Sequence, residues 1–233
     1  MRCVILQPSY IPWRGYFHQI READVFVFYD DAQYDARGWR NRNRVKAPDG
    51  SRWLTIPVLH KGSQPLEKPI HEIEICWDRD WARKHWTTLT HLYSAAPHFD
   101  RYAPLLEKIF SSHPTGLADF TIDLTRALAD QLGLRSTRFL RSSTLERPSG
   151  HKTTDLLNIL THVGADTYLS GPSARDYLDL DRLTQHGIET RFMAYDYPAY
   201  PQLHPPFDPR VSILDLLFMV GPEAPSYIWG ARG

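Results

Sequence analysis

The sequence predicts a single-domain α/β fold, a mainly parallel, doubly wound (Rossmann-like) sheet with an inserted β-hairpin and a helical middle section. Three observations carry that expectation. Cys3–Leu6 and Val25–Tyr29 are short apolar runs, and between them Tyr16, Phe17, Ile20 and Ala23 recur at helical spacing. The last third alternates strand and helix patterns again. The 233 residues, 42% hydrophobic and 12% aromatic, suffice for one continuous core.

The first run stops at Gln7-Pro8 and the second at Asp30-Asp31. A strand, a helix and a strand in so short a span form a βαβ unit with parallel strands, so both stops emerge at the carboxyl edge of the sheet, where open α/β sheets bind ligands. From Asp35 the period changes. Asn43–Lys46, a turn at Asp49-Gly50 and Trp53–Val58 read as a hairpin, and Ile70–Ile75 alternates as an exposed strand. Residues 35–75 therefore form one insertion. A helical insertion over 79–133 follows, with helices at Arg79–Ser94, Tyr102–Ser111 and Leu117–Leu132, the last stopped by Gly133. Strands at Thr137–Leu140, Thr167–Leu169 and Thr190–Ala194 then alternate with helices at Thr153–Val163 and Leu180–His186. After a Pro-rich loop, Ser212 and Asp215 have capping-box spacing before a last helix from Ile213, and Gly221 is its stop. No fixed-period repeat divides the chain, so 1–233 reads as one domain.

Lys+Arg and Asp+Glu both total 27, so no global field steers the protein to nucleic acid or to an anionic membrane. Cys3 and Cys76 lack partners at metal-ligand spacing and suit a reducing compartment. Without a leader pattern or a long apolar window, the expected location is cytoplasmic. No cofactor is identified by any motif, no metal site is expected, and the oligomeric state is left open.

The loop Gln7-Pro-Ser-Tyr-Ile-Pro-Trp-Arg-Gly-Tyr16 is the first candidate site. Two prolines stiffen it, Tyr10, Trp13 and Tyr16 offer stacking surface, Gly15 permits close approach, and Gln7 supplies a donor and an acceptor. The alternative is that the rings cap the core. Asp30 and Gln33 stand at the neighbouring strand end, where a carboxylate orients a hydroxyl or an amine, or simply solvates the turn. Arg37, Arg40, Arg42, Arg44 and Lys46 make the clearest basic patch. If Asn41, Asn43 and Val45 share one strand face, the basic residues share the other, and Asn41, Arg42 and Asn43 are the candidates for an anionic group. A charged hairpin edge is the competing explanation. His85, one helical turn from Trp81, is the candidate general acid or base, against a packed histidine bonded to backbone. Ser170-Gly171 at a later strand end is assigned to binding, because the Gly-x-Ser-x-Gly context of a hydrolase nucleophile is missing.

These residues, with Ala23-Asp24, Thr55-x-Pro57, Tyr93, Pro97, Tyr200-x-Gln202, Phe207 and the Val211–Phe218 helix, resemble the WbqC-like family almost end to end. Similar proteins often have Asn where this chain has Met219. The resemblance implies settings in bacterial surface-polysaccharide or secondary-metabolite biosynthesis. The expected function is a small-molecule group-transfer enzyme that joins an acyl or aminoacyl unit to an amine, its substrate nucleotide- or carrier-linked. In that scheme His85 and Asp30 act in catalysis. A non-catalytic nucleotide-sugar or carrier-binding scaffold is the alternative. A nucleotidyltransferase-like enzyme is a third, which the absent His-x-Gly-His opposes. His85 within reach of Asp30 and the Gln7 loop would favour catalysis; His85 packed away would favour binding.

Overall fold

The chain begins with Arg2–Leu6 (β1), Arg14–Glu22 (α1) and Val25–Phe28 (β2), in the computed structural model, which describes residues 1–59, 67–148, 150 and 153–230. The hairpin is Arg42–Ala47 (β3) and Gly50–Thr55 (β4). Helices Trp81–Tyr93 (α2), Phe99–Phe110 (α3) and Leu117–Gln131 (α4) follow. Then come Arg138–Arg141 (β5), Thr153–Val163 (α5), Thr167–Ser170 (β6), Leu180–Gln185 (α6) and Glu189–Phe192 (β7). Ile213–Val220 (α7) and Ser226–Trp229 (α8) close the described chain. Residues 60–66 of the expected 35–75 insertion lie outside the described residues.

The five strands of the main sheet lie in the order β5-β2-β1-β6-β7 and every neighbouring pair is parallel. Side chains alternate across each strand, so the sheet feeds two separate cores. Val4, Phe26 and Phe28 join a cluster with residues of α1, α2, α3, α4 and α7. Cys3, Ile5, Val25 and Val27 join the other, with α5 and α6. Each fully buried Phe stabilises the fold by about 1.5–3 kcal/mol relative to leaving it exposed.

Two local expectations are corrected. Ile70–Ile75 is not an exposed strand: Ile70–Glu72 is a single 3₁₀ turn. Its backbone is satisfied by loops, with the Ile70 N–H donating to Ala32 O at 2.9 Å and the His71 N–H to Asp30 O at 2.8 Å. The apolar alternation arises because Ile70, Ile73 and Ile75 are all turned into the core. At α7 the Ser212 Oγ accepts from the Leu214 N–H at 3.2 Å, but Asp215 does not complete a capping box. Its buried carboxylate instead accepts from the Tyr93 and Tyr200 hydroxyls and from Gln202 Nε2, each at 2.8 Å.

Candidate functional site

The Gln7 loop owes its shape to the hairpin. Ile11 sits at φ 36°, in the left-handed region that a β-branched residue avoids. Asn43 holds it there, its Nδ2 donating to Tyr10 O at 3.0 Å and Ile11 O at 2.8 Å while its Oδ1 accepts from the Arg44 N–H at 2.7 Å. Asn41 is likewise inward, donating to Ile56 O at 2.8 Å. Val45 is buried beside them, so the expected division of strand faces holds in part, with the asparagines facing in and Arg42 and Arg44 partly open, but Lys46 is buried with its Nζ donating to Pro206 O at 2.6 Å and Arg40 precedes the strand. Asn43 and Arg42 therefore do not grip one ligand together.

The three rings of the loop diverge. Tyr10 is fully buried and its hydroxyl meets His85 Nδ1 at 2.9 Å. Tyr16 is buried, its hydroxyl donating to Gln7 O at 3.1 Å. Trp13 turns the other way, half-buried, with its ring against Tyr195 at 5.0 Å and Tyr197 at 6.1 Å between centroids. Gly15 is what lets that ring lie over α1, because a Cβ there would come within 2.3 Å of it. Trp13 is thus the one ring of the three left partly open. Ser170, at the end of β6, is buried against the Tyr168 hydroxyl at 3.3 Å. A Cβ at Gly171 would stand 3.5 Å from the Tyr195 hydroxyl, which places Gly171 on the Trp13 side of the sheet edge.

Asp30 belongs to a third group. Its carboxylate is fully buried and accepts from Arg141 Nε at 2.7 Å, Ser143 Oγ at 2.8 Å, the Ser143 N–H at 3.0 Å and Ser142 Oγ at 3.2 Å. Four donors leave it little capacity for a substrate proton. Beside it, Arg147 bridges Asp31 and Asp155, and Asp155 also accepts from the Tyr29 hydroxyl at 2.6 Å. Among the described residues no hydrogen bond links Asp30 to His85, so the expected acid–base pair is not assembled. Gln33 is exposed and forms an isolated bridge with Pro69.

His85 and Asn41 do meet, in a cleft of about 800 Å³ between the hairpin and α2. Arg52, Trp53, Arg79 and Lys84 line it as well. Burial lowers the His85 pKa to about 4, partly opposed by a hydrogen bond to the Thr55 backbone, so the imidazole is neutral at physiological pH. Nδ1 faces the Tyr10 hydroxyl at 2.9 Å. Trp81 packs edge-on against the imidazole at 5.2 Å. The site is therefore a basic, partly aromatic cleft floored by a neutral imidazole, suited to holding an anionic small molecule. The described residues contain no group of three His, Cys, Asp or Glu arranged for a metal ion.

Sequence reasoning had not assigned Arg52, Trp53, Arg79 or Lys84 to a site. A faint signal existed in α2, where Lys84 and Thr88 stand one turn apart beside His85. The pairing of α2 with β4, which makes the cleft, joins segments about thirty residues apart and leaves no local trace.

The WbqC-like protein family matches residues 7–227 of the chain. The uncharacterized protein Rv1507c of Mycobacterium tuberculosis is 44% identical over 229 residues, covering 97% of each chain. No solved structure matches.

Proposed function

The chain belongs to the WbqC-like protein family, and from that premise we propose that it is a group-transfer enzyme joining an acyl or aminoacyl unit to the amine of a small molecule. The proposed substrate site is the cleft between the hairpin and α2, and the proposed setting is surface-polysaccharide or secondary-metabolite biosynthesis. The observation that carries this is the cleft's content: about 800 Å³ of space with Arg52, Arg79 and Lys84 around a neutral His85. That volume is within the range of small-molecule sites, about 300–1,000 Å³. The cations offset the charge of an activated, anionic donor, and holding donor and amine together supplies rate by proximity without a strong base. A cytoplasmic location fits the two free thiols, Cys3 and Cys76.

The strand order supports a doubly wound, Rossmann-like layout in which the hairpin is an insertion. α1 and α4 contribute to one core cluster and α5 and α6 to the other, and the strand order reverses between β1 and β6. In this layout the Gln7 loop stands behind the cleft rather than in its lining, and reaches it through the bond of the Tyr10 hydroxyl to His85.

A second reading, a non-catalytic scaffold that binds a nucleotide-linked sugar or a carrier, is favoured by one observation: His85 is buried and its Nδ1 is taken by the Tyr10 hydroxyl. The test is a thermal-shift screen of sugar nucleotides, acyl carriers and amino acids, followed by mass spectrometry of stabilising pairs. Group transfer predicts a joined product that is lost in Lys84→Ala and Arg52→Ala. Stabilisation that those variants abolish, with no product from any pair, supports the scaffold. Stabilisation unchanged in both variants removes the cleft as the site.

A further inference from the structure

We propose that the outward face of the hairpin is a binding site for a diphosphate group, placed at the mouth of the cleft so that an organic diphosphate ester lies with its charged end on Arg42 and Arg44. The proposal deepens the cleft reading and rests on it only for where the remainder of the ester goes.

In the ladder Arg44 stands directly opposite Trp53 and Arg42 opposite Thr55, so Arg42, Arg44 and Trp53 share one face. The Arg42 guanidinium lies 4.6 Å from the centre of the Trp53 ring and that of Arg44 lies 5.6 Å from it. Arg44 is also 5.8 Å from Trp39, whose ring is 5.3 Å from that of Trp53. Both indoles are unusually open for their size, Trp39 at 43% and Trp53 at 44% exposure.

The charge on this face is unbalanced. Among the described residues no salt bridge is made by Arg40, Arg42, Arg44 or Arg52, cations that adjoin one another in and beside the hairpin, although scattered arginines such as Arg101 and Arg175 are unpaired too. Arg42 and Arg44 instead each give one terminal N–H to a backbone carbonyl, that of Arg37 and, at 3.0 Å, that of Arg210. Such a guanidinium is oriented without being neutralised. The Nε of each is buried and unpartnered, so the terminal N–H groups not given to a carbonyl are the ones left for a ligand, in the plane of a guanidinium that rests on an aromatic face, where they match the oxygens of a phosphoryl group. Two such cations about one Trp53 ring suit two linked phosphoryl groups better than a single carboxylate. Simple protection of a hairpin edge would need the charges but not two open tryptophans between them. Because Trp53 also lines the cleft, the diphosphate position is continuous with it.

The experiment is titration of the full chain with inorganic pyrophosphate and with inorganic phosphate, followed by calorimetry and by tryptophan fluorescence. The variants are Arg42→Gln/Arg44→Gln, Arg44→Lys and Lys84→Gln. Pyrophosphate is expected to bind the wild type about tenfold tighter than phosphate, to weaken about tenfold in the double variant, and to change less than about threefold in Lys84→Gln. Arg44→Lys, which keeps the charge and loses the planar fork, is expected to weaken binding about fivefold, and it decides the matter should the double variant not fold. Wild-type affinity in the double variant, or in Arg44→Lys where that variant decides, overturns the proposal. So does a single-stranded oligonucleotide that binds tighter than pyrophosphate through the same arginines. Pyrophosphate binding that follows Lys84 instead ends the hairpin site and leaves the cleft standing. Binding that follows the arginines, while no cleft variant alters any organic ligand, ends the cleft reading and leaves the hairpin site.

Discussion

Asn43 is the side chain on which the candidate site's geometry turns, since it bonds both carbonyls of the Tyr10-Ile11 turn. Replacing it with alanine strands those acceptors in a buried place, at a cost of about 2 kcal/mol, and frees Ile11 from its left-handed conformation. Urea denaturation of Asn43→Ala should show that loss, and an unchanged midpoint would return Asn43 to the ligand-binding role its composition suggested. Alternation along β3 was legible in the sequence, but which face lay inward was not, because polar residues occupy both. His85 gives a pH signature of its own. Its folded pKa, held near 4 by burial, is below the ordinary 6.5. The unfolded chain therefore takes up a proton in that interval that the native protein refuses, and stability, full above pH 6.5, falls as pH drops toward 4. Between pH 7.5 and 5 this removes about 2 kcal/mol from the wild type. His85→Gln should lack that share of the loss. Burial lowers the His18 pKa too, so the comparison between the two proteins, and not the wild-type curve alone, is the measurement.

At the scale of elements, the carboxyl end of β2 is tied to the segment after β5 through Asp30. A carboxylate with one guanidinium and three further donors is a structural staple, and Asp30→Asn leaves Arg141 partly uncompensated and two acceptor oxygens replaced by one. The expected loss is about 3–5 kcal/mol by denaturation, with pyrophosphate affinity unaltered in the folded fraction. Wild-type stability together with loss of a joined product would instead restore Asp30 as a catalytic group. The central strands β1 and β2 were readable from short apolar runs because both of their faces are buried, whereas the edge strands β5 and β7 keep exposed Arg and Glu and carry a weaker signal. Ile70–Ile75 misled because Ile73 and Ile75 do alternate, whereas Ile70 and Ile73 are three residues apart, the spacing at which a 3₁₀ turn puts side chains on one face. Asp215 misled for a similar reason. Its spacing from Ser212 is local, while Tyr93 and Tyr200, which claim its carboxylate, come from distant segments.

For the molecule as a whole, the central issue is whether the two cores on opposite faces of the sheet form one cooperative unit. Cys3 and Cys76 report on different parts of that structure. Cys3 lies in the central strand within the α5–α6 core, fully buried, and burial pushes its thiol up to about 12. Cys76 is half-buried at the cleft. A thiol reagent should therefore modify one equivalent, at Cys76, in the native protein, and a ligand seated in the cleft should slow that reaction. The Cys3 thiol should react only when β1 leaves both neighbours. Trp81, which opens α2, lies in the opposite core with Trp77, Trp86 and Trp229 packed against it, so tryptophan fluorescence reports on that side. If the sheet couples the two layers into a single domain, Cys3 reactivity and the tryptophan signal will share one urea midpoint, as two-state unfolding requires. Separate midpoints would divide the chain into a α5–α6 layer and a hairpin-bearing layer.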